Sequence, residues 1–447
     1  MSTVTEAPAV AIRRRLARLR GVLAGHSPWP AGLPGWLPGL LGVVAWAAAI
    51  AAIEPVVHGY LTSAPDQRMV DLDVYRTSGL SVLQGQPLYA ILTQSPQLLP
   101  FTYPPVAAVF AVPLALMPWG AAQLAWVPLI YVPLAVTIWY AFRPLLRRAG
   151  PLRPVAFAAL FGVCAYLFPM RDQMRFGQVD MLLAALCVAD CAVSRPRWPR
   201  GALIGLATAV KLVPGVFIIY LLVSGRRRAA ATAALCAGAW TAGAFLLMPR
   251  DSVYYWTTAI FDSGRLGSNT GTSNQSLRGL LLRFFLPGHA PGALWVAVAI
   301  VVGVAGFAAA RRVARDGYEM AGVAIAGLLG VALSPVSWIH HLIWVVVAIG
   351  AIAGDGRLVR RAVTAAGAAV FYIMTIPWWG NSLLYVPGVP RMISRLIQGG
   401  FGAGVVALIV IIARMRKTPG DLGPSGSGVS PDSAVPPQAS TAGRRLS

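Results

Sequence analysis

Residues 36–57 read WLPGLLGVVAWAAAIAAIEPVV, an apolar run whose one charged side chain, Glu54, stands near its end. A helix of that length rises about 33 Å, enough to cross the roughly 30 Å hydrocarbon core of a bilayer. The run is too long for the apolar part of a secretory signal, and no small-residue cleavage site follows it. It reads as an uncleaved first membrane span. Residues 1–33, ahead of it, carry Arg13, Arg14, Arg15, Arg18 and Arg20. Basic residues gather on the cytoplasmic side of a span, so the N-terminus is expected inside and the segment after the run outside.

Composition points the same way. The 447 residues are 57% hydrophobic and 12% charged, against about 25% charged in an ordinary soluble domain. Lys and Arg outnumber Asp and Glu by 37 to 15. They fall in short clusters between apolar runs rather than along one face, which marks topology and excludes nucleic acid as the partner. Cys164, Cys187, Cys191 and Cys236 all lie inside apolar runs, without the paired spacing of a metal site or a disulfide framework. Cys187 and Cys191, four apart on a helix, are expected as small packing residues.

Working outward, the apolar run to Met117 is about 14 residues, too short to cross, and is expected to be interfacial or re-entrant. Trp119–Phe142 is long enough and ends at Arg143, Arg147 and Arg148. Further spans are expected at about 154–169, 179–194, 229–248, 292–310, 319–336, 341–354, 362–377 and 398–413, with basic clusters alternating between them. Residues 202–224 have basic clusters at both ends and are broken at Lys211 and Pro214, which fits two short helices in an incomplete hairpin. The sequence therefore predicts an all-α polytopic integral membrane protein with ten to twelve spans and both termini cytoplasmic. The membrane domain covers 34–417, external loops fall at about 58–118, 170–178, 249–291, 335–341 and 378–397, and residues 418–447 form a disordered tail rich in Gly, Ser and Pro.

Three places carry candidate chemistry. Met69-Val70-Asp71-Leu72-Asp73-Val74-Tyr75-Arg76 sets two carboxylates just outside the first span. In an extended segment they face one way, whereas on a helix they diverge by about 200°, so one is the working group. A carboxylate there loses hydration and its pKa rises toward the range of a general base; the plain alternative is a solvated loop acid. Lys211 at the tip of the broken hairpin is placed to meet a phosphate or carboxylate, or to serve as counter-ion to a buried acid. His340 and His341, in the turn from Ser334 to His341, are candidates for a base, a phosphate contact or an interfacial structural role; as metal ligands they lack a further ligand set. The chain has no P-loop, no Rossmann glycine fingerprint and no zinc-protease helix. Asp71-Leu72-Asp73 matches the D-x-D pattern of nucleotide-sugar enzymes, but on the external side a sugar donor must be carried by lipid.

Taken together, several elements in order resemble glycosyltransferase family 87, polytopic GT-C mannosyltransferases of actinobacteria. They are Val70-Asp71-Leu72-Asp73-Val74-Tyr75, Gly85-Gln86-Pro87-Leu88-Tyr89, Tyr103-Pro104-Pro105, Gly177-Gln178-Val179-Asp180 and Gly205 through Lys211-Leu212-Val213-Pro214. Asn274-Gln275-Ser276-Leu277-Arg278-Gly279 and Ser334-Pro335 through Trp338 to His340-His341 complete the set. The resemblance implies a GT-C fold with its active site in external loops and interfacial helices. It implies transfer of mannose from polyprenyl-phosphate-mannose to a mannosylated lipid or lipoglycan acceptor of the phosphatidylinositol mannoside type, with inversion and α-(1→2) linkage, at the external face of the plasma membrane.

The first Asp of the family's D-L-x-V-Y element corresponds to Asp71, with Asp73, His340 and His341 as competing catalytic groups. Tyr75, Tyr103, Gln178, Asn274, Gln275 and Trp338 are implied substrate contacts, and Lys211, Arg171, Arg175 and Arg278 are candidates for neutralising the departing phosphate. Trp378 and Trp379 can stack on a sugar or form part of an interfacial belt. No cofactor is expected; a divalent metal is left open. The rival reading is a transporter or flippase of a sugar or lipid-linked sugar, but one broken segment without a partner in the other half argues against an internal repeat.

Overall fold

The computed structural model describes residues 34–64, 67–284 and 290–416. The N-terminal arginines, Lys417 and the tail lie outside these residues. Helix dominates: among the described residues no strand forms, and Leu92 and Pro100 make an isolated antiparallel bridge. Four helices are long and apolar enough to cross a membrane: Leu37–Thr62, Trp119–Ala141, Arg227–Leu247 and Gly292–Arg315. Three bent pairs bring the count to seven: Gly150–Tyr166 with Phe168–Phe176 (69°), Val359–Ile373 with Ile376–Leu383 (50°), and Arg391–Gln398 with Gly400–Ala413 (57°). The chain is a multi-pass membrane protein.

By length and composition alone, up to seven spans stand out among the described residues, where the sequence predicts ten to twelve. Four further apolar helices run only 10–17 residues: Pro105–Ala115, Val213–Val223, Glu319–Leu333 and Ile339–Ala353. At 1.5 Å per residue each falls short of the ~30 Å core. Glu319–Leu333 and Trp344–Ala353 form the centre of the bundle, buried along nearly their whole length. The stretch expected as an external turn at 170–178 is mostly the helix Phe168–Phe176, which leaves the preceding helix at Leu167, whose extended backbone (ψ 135°) breaks the ladder before Pro169. The expected loop over 249–291 contains the helices Pro249–Thr257 and Leu277–Phe284.

Basic clusters collect at one end of the bundle. Arg226 pairs with Glu319 at 2.7 Å, Arg148 donates to the Asp355 carbonyl, Arg361 donates to the Ala351 and Ile352 carbonyls and lies over Tyr318, and Arg312 donates to the Ala413 carbonyl. Glu319–Leu333 starts at this end and stops at Ser334, and Asp180–Ala192 runs the opposite way, finishing just before Arg195. The turn 334–341 and Asp180 therefore share the other end, where the candidate groups meet.

Candidate active site

The Asp71 helix, Val70–Gln84, settles the geometry of the two carboxylates. Being helical from its first residue, it separates Asp71 from Asp73 around the axis. The helix lies against the short helix Phe168–Phe176, which closes on Gly177 at φ +67°. A Cβ at Gly177 would stand 2.9 Å from the Cβ of Leu72, so a glycine is required both for the left-handed turn and for the close approach. Gln178 follows directly, and its Nε2 donates to Asp71 Oδ2 at 2.6 Å.

The rest of the amide is spoken for. Gln178 Oε1 accepts from the hydroxyls of Tyr75 and Tyr103 at 3.1 and 3.2 Å, and the two hydroxyls lie 3.1 Å apart. This phenol pair orients the amide so that its N–H points at the carboxylate. Removal from water pushes the Asp71 carboxyl above the usual carboxylate range, against the pull of His340, Gln178 and Lys211. Asp73 is raised as well, by burial, with Arg76 pulling the other way; among the described residues no hydrogen-bonded side chain aims it into the cluster.

Lys211 reaches the same centre from the break in the hairpin. The helix Ala202–Val210 ends there because Lys211 is extended (φ −149°, ψ 132°), and the chain resumes helically after Val213–Gly215. Its ammonium lies 2.7 Å from Asp180 Oδ1, 2.8 Å from Oδ2 and 3.1 Å from His341 Nε2, over the face of Tyr103. Burying both charges is tolerable because they are paired and bonded. Asp180 also opens a helix, where the dipole favours a carboxylate.

His340 and His341 differ in role. His341 Nδ1 accepts from the backbone N–H of Trp338 at 3.1 Å. A neutral imidazole has one lone pair to offer, and here both ring nitrogens already face donors. His340 is buried with Nδ1 3.4 Å from Asp172 Oδ2, packed against Phe176, and its backbone carbonyl accepts from Gln173. Asp180, His340 and His341 have ligand atoms within 4.8 Å of one another, so a third ligand does join the two histidines. The spacing would suit a metal, but the Lys211 ammonium lies against two of the three groups and supplies the positive charge itself. These residues do not fit a divalent ion beside that lysine.

Other expected site residues make bonds elsewhere in the fold. Arg171 donates to the Ile373 carbonyl, Arg175 to Gln67, and Arg278 to Ser263 while covering Trp295. Asn274 and Gln275 are buried, and their amides bind the protein itself: Asn274 bonds Asn269, Ser276 and Ser337, and Gln275 bonds Thr272, Gln398 and Gly402. Trp338 is partly exposed, its ring beside Gly267. Asp180 and Asp172 were missed as site residues. The one signal for Asp180 is its place two residues after Gln178, where an acid also reads as an ordinary helix start.

The profile of glycosyltransferase family 87 matches residues 101–335. The chain belongs to this family. It is a hexosyltransferase by that membership, with an α-helical membrane fold. It is 37% identical over 383 residues to the polyprenol-phosphate-mannose-dependent α-(1-2)-phosphatidylinositol mannoside mannosyltransferase of Mycolicibacterium smegmatis, covering 78% of this chain and 84% of that protein. It is 34% identical over 335 residues to the corresponding pentamannoside mannosyltransferase of Mycobacterium tuberculosis, covering 73% of each. Among solved structures, ArnT from Cupriavidus metallidurans bound to undecaprenyl phosphate aligns at 16% identity with a TM-score of 0.40, over 83% of this chain and 77% of that one.

Proposed function

We propose that this family 87 enzyme transfers mannose from polyprenyl-phosphate-mannose to a mannosylated phosphatidylinositol lipid, with inversion and formation of an α-(1→2) link. One observation carries the reading: a base-type carboxylate, Asp71, and a buried ammonium, Lys211, are joined through Gln178 and Tyr103 in one enclosed cluster. Asp71 takes the proton of the acceptor hydroxyl as that oxygen bonds to the anomeric carbon. The bond from that carbon to the phosphate oxygen breaks, and Lys211 meets the charge left on the polyprenyl phosphate. Both mycobacterial relatives support donor, acceptor class and linkage.

Asp71 is preferred to His341 as base because the histidine's nitrogens are already engaged. It is preferred to Asp73 because the Gln178 amide aims Asp71 into the cluster. The site lies at the bundle end opposite the basic clusters, and basic residues favour the cytoplasmic side. This supports an external active site with the termini inside the plasma membrane.

The test is mannose transfer by purified, lipid-reconstituted protein given polyprenyl-phosphate-mannose and phosphatidylinositol mannosides of differing mannose content. Transfer to one of them is the expected result. Donor binding without transfer would overturn the acceptor assignment, and absence of donor binding would overturn the reaction.

A further inference from the structure

The helices Ile376–Leu383 and Arg391–Gln398 form a hairpin that joins two spans, bent from them by 50° and 57°. Its polarity is inverted for a helix facing water. Trp379, Tyr385, Met392, Ile393 and Leu396 point outward at 49% exposure or more, while Ser394 and Gln398 are buried. The two helices pack backbone to backbone: a Cβ at Gly380 would stand 2.6 Å from the Ser394 carbonyl. An amphipathic helix presents its apolar face to the apolar phase. Continuity with two spans makes that phase the bilayer, at its headgroup boundary, where tryptophan and tyrosine collect and the exposed Arg391 can meet lipid phosphate.

The inward polar side of the hairpin leads to the reaction centre by an unbroken series of bonds. Thr272 Oγ1 donates to Asn381 at 3.0 Å and accepts from Gln398 Nε2 at 2.8 Å. Gln275 Nε2 donates to the Gln398 carbonyl at 2.9 Å, and the Gly402 N–H donates to its Oε1 at 2.9 Å. From there the Gln275 N–H donates to the Ser337 carbonyl at 2.7 Å, and the Ser337 N–H donates to Asn274 Oδ1 at 3.0 Å. The next residue, Trp338, holds His341, which contacts Lys211.

We propose that Thr272, Asn274 and Gln275 are positioning residues that clasp the bilayer-seated hairpin to the turn bearing His341, so that the seating of the hairpin in the leaflet sets the geometry around Lys211. This rests on the transferase reading only for its kinetic readout. The clasp explains why the amides of Asn274 and Gln275 are bonded within the fold. It also gives a task to Arg283, which is buried without a carboxylate partner among the described residues and donates to the Gly271 and Asn274 carbonyls.

The test uses the full chain in vesicles. Met392→Cys in a Cys236→Ala background, labelled with an environment-sensitive dye, is expected to emit as in lipid and to resist quenching by aqueous iodide; a dye quenched as freely as in water overturns the leaflet seat. Thr272→Val, which removes only the hydroxyl link, is expected to lower kcat about tenfold or more with KM for donor and acceptor within about twofold, as misplacement of a reacting group does. Trp378→Ser with Trp379→Ser, at the far end, is expected to lower kcat similarly, and the combined variant no further than either alone. A wild-type kcat in folded Thr272→Val, or effects that simply add, overturns the clasp. Gln275→Met replaces Thr272→Val should the latter not fold. If the wild type transfers no mannose, the activity reading fails separately, and the clasp then stands or falls on whether Thr272→Val alters quenching of the dye.

Discussion

At the scale of single residues, the account depends on Asp71 being ionised when the acceptor arrives, while removal from water raises its pKa. The charged form is the base, so kcat/KM is expected to climb with pH along a limb displaced above the ordinary carboxylate range. Gln178 donates to the carboxylate and so favours the charged form. Gln178→Leu should therefore move that limb to higher pH, and a profile displaced to lower pH would contradict the assignment. The same shift has a stability consequence. A carboxyl whose folded pKa is raised favours the fold while protonated, and that benefit is lost as pH rises through the raised value. Asp71→Asn is accordingly expected to unfold at a higher temperature than wild type at neutral pH, as read by thermal denaturation.

Lys211 and Asp180 belong to the same scale. Lys211→Met is expected to cut kcat/KM for the donor by about 10²- to 10³-fold, in line with loss of one electrostatic stabiliser. It also strands the Asp180 carboxylate, so the protein should be less stable. Adding Asp180→Asn should restore the melting temperature without restoring transfer. Recovery of transfer in the double variant would show that Lys211 serves only as a counter-ion.

Single elements explain what the sequence disclosed and what it hid. The broken hairpin at Lys211 and the first span were legible because Pro214, the flanking arginines and an apolar run act locally. The Asp71–Gln178 bond was foreshadowed by two motifs in order, but Asp71 and Gln178 are joined only because the helix Phe168–Phe176 folds back at Leu167. The polar residues between two apolar runs predict an external loop at about 170–178. The motif holding Asn274 and Gln275 records residue type and order, not that their amides bond within the fold. Asp172, facing His340 across the fold, had no local signal at all. At this scale Gly177 is the sensitive point: Gly177→Ala puts a Cβ 2.9 Å from Leu72 Cβ in a left-handed conformation. It should cost about 1–3 kcal/mol, measured by chemical denaturation. A loss within 0.5 kcal/mol would mean that the contact between the two helices relaxes freely.

For the whole molecule, the bundle separates two kinds of chemistry along its axis, arginine clusters at one end and the Asp71–Lys211 cluster at the other. The central helices Glu319–Leu333 and Trp344–Ala353 fix that separation because they are buried along nearly their full length. Their shortness is also why helix length and composition alone pick out fewer spans than the apolar runs in the sequence. The proposed external site predicts sidedness: in intact cells a cysteine introduced at the exposed Phe261 should react with a membrane-impermeant maleimide, and one at the exposed Arg357 should not. The opposite labelling would invert the topology and set the site facing the cytoplasm.

The most direct measurement is mannose transfer from polyprenyl-phosphate-mannose to phosphatidylinositol mannosides by wild type, Asp71→Asn and Asp73→Asn, purified and reconstituted side by side. Transfer by wild type and Asp73→Asn, with loss of about 10²-fold or more in Asp71→Asn, is the predicted result. Transfer that survives Asp71→Asn and disappears in Asp73→Asn would contradict the central claim.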